Sequence, residues 1–148
     1  MDLAAAFLAT AEDDLRAATA CLAGGCAPAA AFFAQQAGEK AAKAWLLRHG
    51  YRAGRTHYAT PMLVRAMKRE GPAAAGLRDA VETLHDLEEY AAGSRYPARG
   101  PGRGTYEPPR ERIDAAEART ALLQARSAVA AFAAATAGSA DSSRAKEV

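Results

Sequence analysis

Isoleucine occurs once and valine four times in the 148 residues, and there is one tryptophan. A mainly β fold needs Val, Ile, Thr and aromatics on its pleated surfaces, so that class is excluded. No apolar run approaches the roughly 18–20 residues that a membrane span requires. Two cysteines, Cys21 and Cys26, are too few and too isolated for a disulfide framework or a four-ligand zinc site. They suit small packing positions between helices. There is no glycine-rich phosphate loop closed by Lys-Ser or Lys-Thr, no HExxH and no EF-hand pattern. A self-sufficient ATPase, a metalloprotease and a calcium sensor are therefore not expected, and neither a metal nor a cofactor is implied. The opening MDLAAAFLATAEDDL lacks a basic lead and turns acidic by Glu12, unlike a secretory signal. The expected location is the cytoplasm. Arginine outnumbers lysine 15 to 4, which reads as genomic bias and suits a bacterial chain.

What the chain does have is alanine. Half of the residues are apolar, and 42 of them are Ala against 25 that are Val, Ile, Leu, Met, Phe or Trp. Alanine is the best helix former, and its short side chain lets helices approach closely. The length fits one domain. Five helical segments follow from periodicity and breakers. The first runs from about Asp2 to Ala23, with Leu8, Ala11, Leu15, Ala18 and Leu22 on one stripe and Gly24-Gly25 behind it. The second begins near Pro28 and runs to His49, where a histidine suits the helix dipole. The third spans about 59–70, capped by Thr56 or Thr60, and the fourth about 73–92. A stretch rich in Pro and Gly, SRYPARGPGRGTYEPPRER, must be a loop, and long loops in small domains are often functional. The fifth helix runs from about Glu111 to Ala137. The implied architecture is an all-α antiparallel bundle of four to five helices over residues 1–137, with a long loop before the last helix. The polar segment 138–148 is expected to be disordered. So small a core gains from burying an alanine-rich face of the first or last helix against a second copy, so a homodimer is expected.

Charge is unevenly spread although the net is only +2. Eight basic residues and no acid lie between Lys40 and Arg69, whereas five acids and no Lys or Arg lie between Asp79 and Glu89. Such asymmetry suits an anionic partner, or two faces of unlike charge that dock together. The most informative run is Gln35-Gln36-Ala37-Gly38-Glu39-Lys40-Ala41-Ala42-Lys43. On a helix, Gln36, Lys40 and Lys43 form one polar stripe, with Gln35 and Glu39 beside it. By periodicity alone this is equally the solvated face of an amphipathic helix.

With FFAQQAGEKAAKAWLLRHG followed by Arg55-Thr56-His57 and later by Ser94-Arg95-Tyr96-Pro97, the sequence resembles a HEPN domain, a nucleotide-binding domain of higher eukaryotes and prokaryotes. The resemblance covers about residues 5–135. It implies a bundle of four or five helices, usually dimeric and often paired with a small nucleotidyltransferase in a toxin–antitoxin system. Some members are metal-independent endoribonucleases that use an Arg, four to six residues, then a His. Others bind nucleotides or serve as assembly modules.

That cleavage needs a base or acid at the ribose 2′-hydroxyl and a cation for the developing phosphorane charge, roles that His and Arg can fill. By spacing, Arg52 with His57 and Arg78 with His85 qualify. The first pair straddles the loop before the third helix. The second lies nearly two turns apart on one helix face, where pairing with Asp79 and Glu82 is the plainer alternative. His57 equally suits a structural hydrogen bond. At the family's position for the catalytic Arg this chain has Arg95, and no His follows it. Arg95 offers a planar fork for phosphate, with Tyr96 to stack on a base; alternatively Arg95 locks the loop. Arg99 and Arg103 have no aromatic stacking platform in the sequence, and that stretch reads as a solvated linker. The leading expectation is a nucleotide- or RNA-binding module acting with a small nucleotidyltransferase. In it Lys40, Lys43, Arg95 and Tyr96 contact phosphate or base, and Gln36, Glu39 and His57 orient them. The alternatives are an endoribonuclease built on His57 or on Arg78 and His85, and a dimerisation module without ligand.

Overall fold

Asp2 starts the first helix by accepting the Ala5 backbone N–H at 2.8 Å, the arrangement expected of an N-cap. Helix α1 (Leu3–Ala23) then gives way at Gly24-Gly25-Cys26 to α2 (Ala27–Arg48), which carries its proline in the first turn. A turn this short returns the chain alongside itself. Arg48 at the end of α2 meets Asp2 at the start of α1 at 2.9 Å, so the two helices are antiparallel over their whole length. The computed structural model describes residues 1–138, so the tail expected beyond Gly138 lies outside the described residues.

After α2 come α3 (Thr60–Glu70), a 3-10 segment (Gly71–Leu77), α4 (Arg78–Leu87) and the single-turn α5 (Tyr90–Gly93). The single continuous helix expected over 73–92 is thus three pieces. Pro72 and the positive φ of Gly71 prevent a regular start, and the chain bends again at Glu88-Glu89. The three pieces still turn one stripe inward: Leu77, Val81, Leu84, Leu87, Glu88 and Ala91 are all buried. Neither Thr56 nor Thr60 caps α3. Ala59 occupies the cap, and the free Thr60 N–H donates to Glu88 Oε1 at 2.9 Å from the far end of α4. The long loop contains two short antiparallel strands, β1 (Ala98–Arg99) and β2 (Tyr106–Glu107), and the one-turn α6 (Pro109–Arg112). The last helix, α7 (Ala115–Ala137), starts four residues later than expected. Asp114 is the reason, since its side chain accepts from Glu117 N at 2.8 Å.

Helix α2 is the centre of the bundle, packed on α1 and α7 and reached by α4. Fourteen of its 22 residues are buried, eight of them alanines, so neighbouring helices can lie on several sides of it. At Gly38 even a methyl group would stand 3.3 Å from a Leu84 methyl, which shows how closely α4 approaches. The bulky part of the core is Trp45, Leu46, Leu63, Leu84, Leu87, Val129 and Phe132. Cys21 packs partly against this core as expected, but Cys26 is exposed in the α1–α2 turn. Phe132 is fully buried, so truncating it leaves a cavity. Phe132→Ala should therefore cost about 3–5 kcal/mol in urea unfolding, whereas Leu123→Ala, on the exposed side of the same helix, should leave the midpoint almost unmoved.

Candidate functional site

Glu39 sits midway along α2 and is 3% exposed, which for a carboxylate demands partners. It has four. Lys43 Nζ donates to Oε1 at 2.6 Å, while Gln35 Nε2, Gln36 Nε2 and His57 Nδ1 lie 3.1, 3.3 and 3.0 Å from Oε2. Three of these partners come from the same helix at spacings of three and four, and His57 comes from the loop that precedes α3. Lys43, itself 7% exposed, donates again to the Thr56 carbonyl at 2.9 Å and so pins that loop. Gln36 passes the network on by donating to Gln35 Oε1 at 2.7 Å and accepting from Lys40 Nζ at 3.4 Å. Lys40 also pairs with Asp14 of α1.

Burial pushes the Glu39 carboxyl up, but the hydrogen bonds from Lys43, Gln35 and His57 together outweigh it and hold the group below its ordinary value of 4.5. An ionised carboxylate only accepts, so the His57 ring proton facing it resides on Nδ1. The ring is 47% exposed.

Arg95 occupies a different part of the same helix face. Its guanidinium carbon stands 5.0 Å above the Phe32 ring and 5.2 Å from that of Tyr96, and its Nε donates to the Ala91 carbonyl at 2.7 Å. Its terminal nitrogens have no acceptor among the described residues. Phe32, Gln36 and Lys43 lie four and seven residues apart, which places all three within about 40° of each other around α2. Arg95 and the Glu39 network therefore share one face, about one turn apart. Arg95 lines a cavity of about 480 Å³ together with Cys26, Phe32, Ser94, Pro109 and Arg110, and no residue of the Glu39 network borders it.

The remaining candidates lie elsewhere. Arg78 is 81% exposed and pairs with Glu82 at 3.2 Å. His85 is 72% exposed and faces Glu88 at 3.5 Å, beside a cavity lined by Asp86 and Glu89. Arg78 borders a separate, mostly apolar groove of Val64, Met67 and Val81. Three contributors escape the sequence reading. Asp14 falls between Ala11 and Ala18 on the inward stripe of α1, a position where a carboxylate signals a buried partner. Phe32 reads in the sequence only as apolar surface. Arg112 donates to the carbonyls of Gly93 and Tyr96 at 2.9 and 3.0 Å, and no pattern in the sequence marks it.

The sequence profile of the HEPN domain matches residues 4–133. The chain belongs to the HEPN domain family. Among curated proteins none matches. A solved structure, that of TT1696 from Thermus thermophilus, is similar with a TM-score of 0.76 at 28% identity, covering 91% of this chain and 99% of that one. The four- to five-helix bundle expected from the resemblance is thus the fold of this HEPN domain, with five α-helices longer than one turn among the described residues. No helix there is long and apolar enough to cross a membrane.

The Glu39 network makes a stability prediction for this HEPN domain. A carboxyl held below its ordinary value stabilises the fold above that value, and the contribution disappears as the pH falls through the folded value. Urea unfolding should therefore show stability declining below about pH 4.5, with a shallower decline in Glu39→Gln. At neutral pH the same variant strands the buried Lys43 ammonium and should lose on the order of 3 kcal/mol.

Proposed function

We propose that this HEPN domain binds a nucleotide or a segment of RNA, taking phosphate at Arg95 with Arg110 across the cavity. The observation that carries the reading is the Arg95 guanidinium. It is held over Phe32 and anchored through Nε, and its remaining donors are uncommitted. A fork oriented in this way suits phosphate oxygens, and the Tyr96 ring beside it suits a base. Gln36 and Lys40 on the same face of α2, with His57 from the loop before α3, supply polar contacts to the rest of the ligand. Glu39 and Lys43 are engaged with each other, so they orient that face from beneath. The domain works beside a small nucleotidyltransferase as one half of a toxin–antitoxin pair, a reading supported by the family. A nucleotidyltransferase encoded next to this chain and co-eluting with it is the check on that partner. Dimerisation would use the groove of about 600 Å³ between α1 and α7, where Leu15, Ala20, Val129 and Ala130 are flanked by Glu12, Arg16 and Arg126. Acid and base on one patch allow it to meet a copy of itself.

One observation favours a second reading, metal-independent RNA cleavage. The Glu39 carboxylate lies 3.0 Å from His57 Nδ1, a contact that would orient the half-exposed ring for abstraction of a 2′-hydroxyl proton. The other candidate pair, Arg78 and His85, faces carboxylates on its own helix and lacks such support. RNA incubated with the protein in EDTA separates the readings: cleavage abolished by His57→Ala supports the enzyme, and intact RNA removes it.

For the leading reading, calorimetric titration with nucleoside mono- and triphosphates at two salt concentrations is the test. Binding should weaken as salt rises, and Arg95→Ala should reduce affinity about tenfold, the weight of one charge-assisted contact. Absence of binding, or full affinity in Arg95→Ala, overturns it.

A further inference from the structure

The chain leaves the Arg95 cavity after Arg95 and re-enters it at Pro108, so the intervening residues spring from its rim. Read as sequence, this stretch is a solvated linker without aromatic support. The structure adds two exposed tyrosines beside the arginines of the stretch. Strands β1 and β2 pair with Ala98 opposite Glu107 and Arg99 opposite Tyr106. Directly opposed residues project to the same side of a two-stranded ribbon. Arg99 and Tyr106 are both exposed, so they stand side by side on the outer face, whereas Ala98 and Glu107 are half-buried on the inner one. Arg103 lies at the tip.

The turn has a specified form. Thr105 Oγ1 donates to the Gly102 carbonyl at 2.7 Å and accepts its N–H at 3.1 Å. A methyl group at Gly100 or Gly102 would come within 2.7 and 2.9 Å of the Thr105 side chain, too close to be accommodated without movement. Arg112 holds the base of the ribbon through the Tyr96 carbonyl. Among the described residues neither Arg99 nor Arg103 has an ion-pair partner, and the ribbon's one acid, Glu107, is on its inner side. Arg99 and Tyr106 on the outer face, Arg103 at the tip and Tyr96 beside Arg95 at the rim are all exposed, two rings among cations.

We infer that this ribbon is a platform for single-stranded nucleic acid, continuous with the Arg95 cavity, so that the ligand is an oligonucleotide rather than a mononucleotide. The inference rests on the phosphate site proposed at Arg95. Tyrosine faces stack on bases and arginines neutralise the backbone, a combination that tolerates sequence because every base has a face to offer. A duplex hides those faces. Five residues on each side of the turn extend at most about 17 Å from the rim, a reach that one nucleotide does not use.

Fluorescence anisotropy with labelled oligo(U), oligo(dT) and a blunt duplex, alongside calorimetry with uridine monophosphate, tests this. Both single strands should bind more than tenfold tighter than the monophosphate and than the duplex. Tyr106→Ala and the pair Arg99→Ala, Arg103→Ala should each weaken oligonucleotide binding about tenfold while leaving the monophosphate unchanged, and Tyr106→Phe should restore it. Duplex bound as tightly as single strands, or Tyr106→Ala retaining full affinity while Arg95→Ala loses both ligands, overturns the platform and leaves the Arg95 site standing. If Arg95→Ala loses neither ligand, the underlying phosphate site fails instead.

Discussion

Glu39 is an anion inside a bundle whose central helix buries mostly alanine, and much of the local architecture follows from keeping it charged there. A buried carboxylate without partners would protonate or unfold its surroundings. Lys43 and the two glutamines meet that demand from within α2, because spacings of three and four bring them over the same turn. His57 meets it from outside and thereby fastens the connection between α2 and α3. Lys43 adds a second fastening at the Thr56 carbonyl. The charge is therefore less a surface ornament than the knot that ties a loop to the centre of the molecule.

Alanine makes that knot possible. Helices lined with small side chains come close enough for polar groups on three elements to meet: Asp14 of α1 reaches Lys40, and His57 reaches Glu39. The cost is a thin core. Trp45, Phe132 and a few leucines carry most of the bulk, and α7 closes over α2 with alanine on both sides. The candidate site residues Gln36, Glu39, Lys40 and Lys43 lie on α2, and Arg95 and Tyr96 lie in the segment that packs against Phe32 near its N-terminal end.

The helices were legible because their signals are local. Breakers at Gly24, Gly25 and Gly50, and an inward stripe every three or four residues, need no tertiary information. The cap of α3 was missed because a distant residue, Glu88, supplies it, whereas the late start of α7 follows from a local signal, the Asp114 cap, that the breaker pattern does not mark. The polar stripe on α2 was also readable, but its interior character was not. Periodicity marks a face without saying whether water or another helix covers it. The ribbon between Ala98 and Glu107 was invisible for a different reason. Prolines and glycines announce a loop, and only the pairing of Arg99 with Tyr106 reveals that the loop has two sides.

The guanidinium of Arg112 has a mechanical consequence. It lies at the entrance to α7 and grasps two carbonyls, of Gly93 and Tyr96, that bracket Arg95. The arginine stacked on Phe32 is thus tethered to α6, the turn that leads into the last helix, although the ring it covers belongs to the second. Any event that rocks α7, such as a neighbour settling along the alanine-rich groove it shares with α1, pulls on the crossing segment from below. In engineering terms the crossing loop is hinged to one beam and rests upon another, and relative travel of the two beams sets its tension.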